Sequence, residues 1–280
     1  MPPEPGFQHR LVRAGLPTGL AEWPGPAAAR GRTPALLLHG FSGAGADWAA
    51  CAPLLGRPAV APDLPGHGRS PAGRDLALPC LLGRLEALLD RLRLPRVVLI
   101  GYSLGARLAL HLALERPARV AALALIGGTP GLADPAERAA RAGEDAARVE
   151  ALLARGAPAF LAEWRRQPLI ATQARAPAAH GARMARWRAG ASAAGWAAAL
   201  RALSPGVLPA RWEDLPRLAP PLLLLTGAED HKFAAIAARM RERLPAAELR
   251  SVPGAGHAPQ LEQPARTATL LRAFARRVGV

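Results

Sequence analysis

The chain contains short apolar runs that end at turns rich in Gly, Pro or Asp. Five such runs occupy residues 35–38, 59–61, 97–100, 120–126 and 222–225, and a sixth, less apolar segment occupies residues 249–252. The first five are uninterrupted rather than alternating, which is typical of strands buried on both faces of a sheet. We therefore predict strands at all six positions.

Amphipathic helix patterns separate several of these runs. Leucines recur at helical spacing between residues 81 and 92, and Leu104, Leu108 and Leu112 do so after Ser103. An alternation of strand and helix predicts an α/β fold whose sheet is mostly parallel and doubly wound. In such folds ligands bind at the carboxyl ends of the strands, so we expect functional side chains there.

The alternation stops between residues 128 and 210. This stretch holds helix-compatible Ala, Arg and Leu segments broken by prolines, and it offers no strand candidate. The alternation returns after Pro220-Pro221. We predict an α/β core formed by residues 1–127 and 213–280, with an all-helical insertion at residues 128–212. We expect this insertion to lie over the strand ends as a cap.

The composition favours a folded domain but leaves its charge to be explained. Half of the 280 residues are hydrophobic and 20% are charged, which argues against global disorder. The 36 Lys and Arg residues against 21 Asp and Glu residues give a net charge of +15, which taken alone suggests a polyanionic partner. Lys232 is the only lysine, however, and alanine is abundant. The excess of arginine is therefore typical of a GC-rich coding sequence, and we expect no nucleic-acid partner.

Several other classes of protein are disfavoured. Cys51 and Cys80 make neither a disulfide framework nor a zinc motif, and the seven histidines lack metal-binding spacing. No apolar run approaches the roughly 18–20 residues that a membrane span needs, and residues 1–5 lack the features of a secretory signal. No phosphate-binding loop or dinucleotide motif is present. We expect a cytoplasmic protein without a metal, a cofactor or a membrane partner.

The strongest chemical motif is Gly101-Tyr102-Ser103-Leu104-Gly105, which lies directly between a predicted strand and a predicted helix. In a G-x-S-x-G turn the backbone bends so sharply that glycine is needed on both sides, and the serine hydroxyl is exposed at the helix N-terminus. The alternative is a serine that only caps the helix. The strand–turn–helix context favours the first interpretation and predicts that Ser103 is the reactive group.

A serine hydroxyl needs an imidazole to take its proton and an acid to orient that imidazole. In a fold of this kind the chain order is serine, acid, histidine. Asp230 follows the predicted strand at residues 222–225, and His257 lies in a glycine-rich loop after the last predicted strand. We predict a Ser103, Asp230 and His257 triad, with Glu229 as a rival for the acid.

These motifs resemble those of the α/β-hydrolase superfamily over nearly the whole chain. The resemblance rests on the serine turn, on His39-Gly40, on Gly256-His257 and on the segment Asp63-Leu64-Pro65-Gly66-His67-Gly68-Arg69-Ser70. It implies an α/β-hydrolase fold with an inserted cap. Esterases, C–C hydrolases, peroxidases and lyases share these motifs, so the superfamily does not determine the reaction.

Five local segments are similar to a narrower family, the 2-succinyl-6-hydroxy-2,4-cyclohexadiene-1-carboxylate synthases of menaquinone biosynthesis, known as MenH. They are residues 39–48, 101–107, 127–132, 163–168 and 230–233. The resemblance implies a lyase that eliminates pyruvate from 2-succinyl-5-enolpyruvyl-6-hydroxy-3-cyclohexene-1-carboxylate. In that family the serine is thought to abstract a proton without forming an acyl-enzyme.

The same resemblance assigns roles residue by residue. It implies that Ser103 is the base, His257 its proton relay and Asp230 the orienting acid, and that backbone N–H groups of Phe41 and Leu104 stabilise an oxyanion. It further implies that the substrate is bound by Tyr102, Arg107, Arg141, Trp164, Arg188, Lys232 and Phe233. Arg183 and Arg186 are neighbouring alternatives to Arg188.

The charge of the predicted cap agrees with a small polycarboxylate as substrate. Between Gly131 and Trp212 the chain has 12 Arg against 6 Asp and Glu residues. The planar guanidinium fork of arginine suits carboxylates better than the point charge of lysine does.

Two other functions stay open at this stage: a serine hydrolase of an ester or C–C bond with the same triad, and a catalytically silent protein that binds nucleic acid. The oligomeric state is left open.

Overall fold

The computed structural model describes residues 8–280, which form one eight-stranded sheet. Its strands are β1 (Gln8–Ala14), β2 (Leu16–Trp23), β3 (Ala35–Leu38), β4 (Ala59–Pro62), β5 (Val97–Tyr102), β6 (Val120–Ile126), β7 (Leu222–Gly227) and β8 (Glu248–Val252). Their order across the sheet is β1-β2-β4-β3-β5-β6-β7-β8. Strands β3 to β8 are parallel, whereas β2 pairs antiparallel with both β1 and β4. The predicted α/β-hydrolase fold class is confirmed.

The six predicted strands correspond to β3–β8, but the hairpin of β1 and β2 was not predicted. Strand β1 buries Val12 while Leu11 is 48% exposed, so its sequence lacks the continuous apolar run of an interior strand. Gly15 joins the two strands with φ at +83°, a conformation that favours glycine. Residues 1–5, for which the sequence predicts no secretory signal, lie outside the described residues.

Helices cover both faces of the sheet. They are α1 (Leu78–Arg91), α2 (Leu104–Glu115), α3 (Pro135–Trp164), α4 (Pro168–Ala171), α5 (Ala178–Ala189), α6 (Ala193–Leu203), α7 (His231–Arg243), α8 (Pro259–Glu262) and α9 (Pro264–Arg277). Successive residues of β5 enter different cores: Val97 and Leu99 pack with α1, α2 and α7, and Val98 and Ile100 pack with α9. Burial on both faces explains why the sequence of this strand is uniformly apolar.

Helices α3 to α6 lie between β6 and β7, and we call residues 135–203 the cap. Helix α3 is kinked at Gly156, where φ is +79°, and Pro158 follows. The cap has its own apolar cluster, centred on Trp196 and Phe160, and Phe41 of the core packs against this cluster. At another contact a side chain on Gly66 would collide with the backbone of Gly195, so core and cap meet there at backbone distance.

Within the described residues, no helix combines the length and the apolar character that crossing a bilayer requires.

Candidate active site

Ser103 lies in the tight turn between β5 and α2. Its φ of +52° is in the left-handed region, which a non-glycine residue adopts only at a cost in free energy. Gly101 and Gly105 make the turn possible, since a Cβ on Gly101 would collide with the backbone of Gly105, and one on Gly105 with the carbonyl of Leu38. The Ser103 N–H donates to the Ile126 carbonyl at 2.9 Å, which ties the turn to β6.

His257 and Asp230 complete a hydrogen-bonded chain with Ser103. His257 Nδ1 lies 2.6 Å from Asp230 Oδ2, and His257 Nε2 lies 3.1 Å from Ser103 Oγ. Because a carboxylate only accepts, Nδ1 carries the proton and Nε2 is left to accept the serine proton. Both the histidine and the aspartate are almost fully buried. This arrangement can activate a serine oxygen as a nucleophile or as a base.

Asp230 rather than Glu229 faces the histidine. Asp230 follows β7, and its Oδ1 accepts from the Phe233 N–H at 3.2 Å, so the side chain also caps α7. The Glu229 carboxylate points to the surface, where it pairs with Arg175. The position of Asp230 at the N-terminus of α7 therefore determines which of the two adjacent acids faces His257.

Two backbone amides beside Ser103 are free to donate. Leu104 is the first residue of α2, so its N–H has no acceptor within the helix. Phe41 lies in the turn after β3, and in residues 8–280 neither amide has a protein acceptor. Both residues line the same cavity as Ser103. They form a candidate oxyanion site.

The turn that carries Phe41 is held by His39. The Leu64 N–H donates to His39 Nε2 at 2.9 Å, and His39 Nδ1 therefore donates to the Gly40 carbonyl at 2.7 Å. Burial lowers the pKa of His39, which keeps the ring neutral and this pattern intact. The imidazole thus orders the turn.

Ser103 and His257 open onto a cavity between the core and the cap. Three cationic side chains line it: Arg107 and Lys232 from the core and Arg141 from the cap. Most of the remaining wall is apolar and is formed by Phe41, Leu104, Leu132, Trp164, Leu169, Ile170, Leu200, Leu203, Phe233 and Ile236. A cavity of this kind suits an apolar skeleton that carries several negative charges.

Arg107 is the most deeply placed of these cations. Its Nη2 donates to the Leu203 carbonyl at 2.9 Å, while its Nε is buried without a partner in the described residues. Burial, followed by the nearby charge of Arg141, lowers the pKa of Arg107 to about 10. The group is still a cation at neutral pH, and its unpaired N–H is a donor available to an anion.

Arg141 is held in place by Asp145 on the same helix. Its Nε donates to Asp145 Oδ2 at 2.8 Å, and Asp145 also accepts from Arg148 at 2.6 Å and from the Ser204 hydroxyl at 2.6 Å. Burial opposes ionisation of Asp145, but the hydrogen bonds from Ser204 and Arg141 outweigh burial and hold its pKa below the usual range. This anion orients Arg141 and offsets part of the positive charge at the cavity.

Two further predicted substrate-binding residues also line the cavity: Trp164 and Phe233. The Phe233 ring lies 4.4 Å from the His257 ring, and the Trp164 ring meets the Phe41 ring edge-on at 5.3 Å. These aromatic groups form the apolar wall around the triad.

Tyr102 is close to the triad but does not line its cavity. A Cβ on Gly40 would collide with its ring, which shows how tightly the ring packs against the turn after β3. Its hydroxyl accepts from Gln173 Nε2 at 3.3 Å, and burial raises its pKa. The structure therefore places Tyr102 between the serine turn and the cap.

Arg188 also lies outside this cavity. Its Nε donates to the Ser42 carbonyl at 3.0 Å, and its Nη2 lies 3.8 Å from Asp47 Oδ2. These contacts hold the guanidinium in the wall of an adjacent pocket, which Arg165 also lines. Of the alternatives, Arg186 is exposed, and the side chain of Arg183 is outside the described part of the chain.

Several residues near the site were not predicted from the sequence, namely Asp145, Ser204, Thr172 and Glu262. Asp145 and Ser204 are separated by 59 positions, and Thr172 and Glu262 by 90, so no local pattern relates them. For Asp145 the only sequence signal was its helical spacing of four from Arg141. No group of three or more His, Cys, Asp or Glu side chains that could hold a metal occurs among the described residues.

Comparisons of the sequence and of the fold show which known proteins this chain is similar to. A sequence model of the alpha/beta hydrolase family matches residues 35–270. The chain is 35% identical over 239 residues to the 2-succinyl-6-hydroxy-2,4-cyclohexadiene-1-carboxylate synthase of Serratia proteamaculans, covering 85% of this chain and 91% of that protein. It is 34% identical over 248 residues to the synthase of the same name from Pectobacterium atrosepticum, with coverage of 85% and 91%.

Solved structures are similar over nearly the whole chain. MenH from S. aureus superimposes with a TM-score of 0.86 at 25% identity, covering 93% of this chain and 99% of that one. A thermophilic esterase from Thermogutta terrifontis gives a TM-score of 0.78 at 24% identity and covers 98% and 100% of the two chains. The second likeness concerns the fold alone, because this fold supports many reactions.

Proposed function

The chain belongs to the alpha/beta hydrolase family, and we propose that it is a lyase that eliminates pyruvate from 2-succinyl-5-enolpyruvyl-6-hydroxy-3-cyclohexene-1-carboxylate. The product would be 2-succinyl-6-hydroxy-2,4-cyclohexadiene-1-carboxylate, which appears in the names of the relatives above. The enzyme would act in menaquinone biosynthesis, in the cytoplasm, and without a cofactor.

One observation carries this proposal: Ser103, His257 and three cations line the same cavity, most of whose remaining wall is apolar. The proposed substrate has a six-membered carbon ring and three carboxylates, on the ring, the succinyl arm and the enolpyruvyl group. Arg107, Arg141 and Lys232 are available to bind carboxylates, and the aromatic wall is available to bind the ring. A simple ester would leave the unpaired Nε of Arg107 buried without a partner.

The reaction needs a base for the proton on ring carbon 2, which the adjacent succinyl carbonyl makes acidic. His257 Nε2 accepts the Ser103 proton, and the serine oxygen takes the carbon-bound proton. The released electron pair forms the C2=C3 double bond, the C3=C4 double bond moves to C4=C5, and the C5–O bond breaks. The leaving group is the enolate of pyruvate. Its carbon takes up one proton to give pyruvate, and the imidazolium of His257 gives up one proton, so that the neutral triad is restored.

Negative charge develops on the succinyl carbonyl oxygen as the proton leaves. The free N–H groups of Phe41 and Leu104 are the donors proposed to stabilise it. Asp230 keeps the proton of His257 on Nδ1 and stabilises the imidazolium that forms. In this mechanism Ser103 forms no covalent bond to carbon.

A serine hydrolase of an ester or a C–C bond is the second candidate. The observation that favours it is the hydrogen bond between Ser103 Oγ and His257 Nε2, which equally activates a nucleophile. The two candidates differ in whether an acyl group is attached to Ser103 during turnover.

The test is to incubate the purified protein with the enolpyruvyl cyclohexene substrate. We expect pyruvate and the conjugated diene, which is followed by its ultraviolet absorbance, to form in equal molar amounts. The Ser103→Ala protein should produce neither. Conversion no faster than in buffer, together with rapid turnover of short esters, would refute the lyase proposal in favour of hydrolysis.

A further inference from the structure

A short cap segment, Thr172–Arg175, contacts the chain next to each member of the triad. Gln173 donates to the Tyr102 hydroxyl, beside Ser103, and Arg175 pairs with Glu229, beside Asp230. Thr172 reaches the loop that carries His257, as described below. One turn of the cap thus contacts a chain neighbour of each triad residue.

The third link runs through Glu262, a carboxylate on α8 that is 4% exposed. Its Oε2 accepts from the Gly256 N–H at 2.8 Å, and its Oε1 accepts from the Ala258 N–H at 3.1 Å. These are the two residues that flank His257. The carboxylate therefore fixes the backbone on both sides of the catalytic histidine.

Thr172 joins this network from the cap. Its hydroxyl donates to Glu262 Oε1 at 2.9 Å. A side chain on Gly256 would collide with that of Thr172, so the threonine also packs directly on the histidine loop. A loop that must hold an imidazole within hydrogen-bond distance of both Ser103 and Asp230 is thereby fixed partly by a residue of the cap.

We propose that Glu262 is a positioning residue for His257, and that Thr172 makes the position of this histidine depend on the cap segment. Three donors converge on one buried carboxylate, and removing an acceptor oxygen leaves a buried N–H or O–H unpaired. The loop then relaxes, and the short bond from His257 to Asp230 lengthens. The inference rests on the proposed Ser–His–Asp chemistry but not on the identity of the substrate.

Four variants separate positioning from general stability. Glu262→Gln keeps the shape of the side chain but turns one acceptor into a donor that faces backbone N–H groups. Thr172→Val removes the hydroxyl, and Thr172→Ser restores it. Arg175→Ala is the matched control, because it breaks the contact of the same segment with Glu229. This ion pair lies at the surface, where the Arg175 side chain is 50% exposed and that of Glu229 is 43% exposed.

Two readouts report on His257 without the cyclohexene substrate: the low-field proton NMR signal of its Nδ1–H, and the rate at which a fluorophosphonate labels Ser103. For Glu262→Gln we expect the signal to move upfield or disappear and labelling to slow by about 10- to 100-fold. For Thr172→Val we expect labelling to slow by about 3- to 10-fold. Thr172→Ser and Arg175→Ala should stay within about twofold of the wild type.

The proposal is overturned if Glu262→Gln and Thr172→Val keep the wild-type signal and labelling rate, even if their melting temperatures fall. It is also overturned if Arg175→Ala slows labelling as much as Thr172→Val does. Failure of the protein to convert the cyclohexene substrate would refute the proposed function and leave this result untouched.

Discussion

The two walls of the cavity are built in different ways. On the core wall, the triad follows strands β5, β7 and β8, and backbone geometry at the strand ends fixes each side chain. On the cap wall, Arg141 projects from a kinked helix and is oriented by an ion pair with Asp145. The chemistry is thus attached to the sheet, whereas the recognition of the substrate depends largely on how the helices pack.

Arg107 connects the two walls of the cavity. It lies on α2, one turn after Ser103, but its guanidinium binds the Leu203 carbonyl of the cap. Of the three cations that line the cavity, it is the one with a buried N–H that has no partner among the described residues. Substrate binding should therefore depend more on this core residue than on the cap arginines, and four predictions test the comparison.

The largest effect is expected on the core wall. His257→Ala removes the group that takes the serine proton, and we expect kcat to fall by about 10³-fold or more. KM should change little, because His257 is not one of the cations that bind carboxylates. A variant that keeps kcat within tenfold of the wild type, measured by pyruvate release, would remove the histidine from the mechanism.

Arg107→Ala should have the next largest effect. A hydrogen bond to a charged group contributes about 1.5–3 kcal/mol, so we expect kcat/KM to fall by roughly 10- to 150-fold. The free energy of unfolding in urea should not decrease, because the variant removes a buried cation with an unpaired N–H. Arg107→Lys keeps the charge without the fork, and it should recover only part of the loss.

Arg141→Ala should cost less, because this side chain is 32% exposed and already paired. We expect KM to rise by about fivefold, corresponding to roughly 1 kcal/mol. Arg148→Ala is the matched control, since Arg148 also pairs with Asp145 and is 29% exposed but does not line the cavity. An equal rise in KM for both variants would show that Arg141 acts through the cap and not on the substrate.

The smallest effect on activity is expected at the seam between the walls, where His67 packs against Phe41 of the core and Trp196 of the cap. Burial, followed by the charge on His39 when it is protonated, lowers the pKa of His67 to about 3. In the unfolded chain a histidine titrates near 6.5, so between these values the unfolded state binds more protons. Stability is therefore lost as the pH falls below about 6.5.

His67→Asn should reduce this loss by up to about 1.4 kcal/mol per pH unit between pH 6.5 and 5. Urea unfolding at several pH values provides the measurement, and His231→Asn, which removes an exposed histidine, is the control. Parallel stability curves for the wild type and His67→Asn would show that the seam histidine does not contribute to acid sensitivity.

The same contrast explains what the sequence could predict. Ser103, Asp230 and His257 could be found because each lies in a short motif whose geometry follows from glycines and strand ends. Strands β3–β7 were recognisable because they are buried on both faces and their sequences are uniformly apolar. The hairpin of β1 and β2 was missed because an edge strand such as β1, with the exposed Leu11, has no continuous apolar run.

Long-range packing accounts for what could not be predicted. Arg188 was placed with the substrate by resemblance, but its position depends on Ser42, which is 146 residues away in the chain. Glu262 receives donors from Gly256, Ala258 and Thr172, and its own segment gives no sign of the contact with Thr172. Contacts of this kind arise only after the cap has packed on the core.

The central claim is that the core wall removes a proton from the substrate without an acyl-enzyme. The most direct measurement is the turnover rate of substrate that carries deuterium at ring carbon 2, with the mass of the intact protein recorded during turnover. We predict slower turnover than with the protium substrate, loss of the deuterium to water, and an unmodified protein mass. Equal rates for the two substrates, with an acyl adduct on Ser103, would contradict the account.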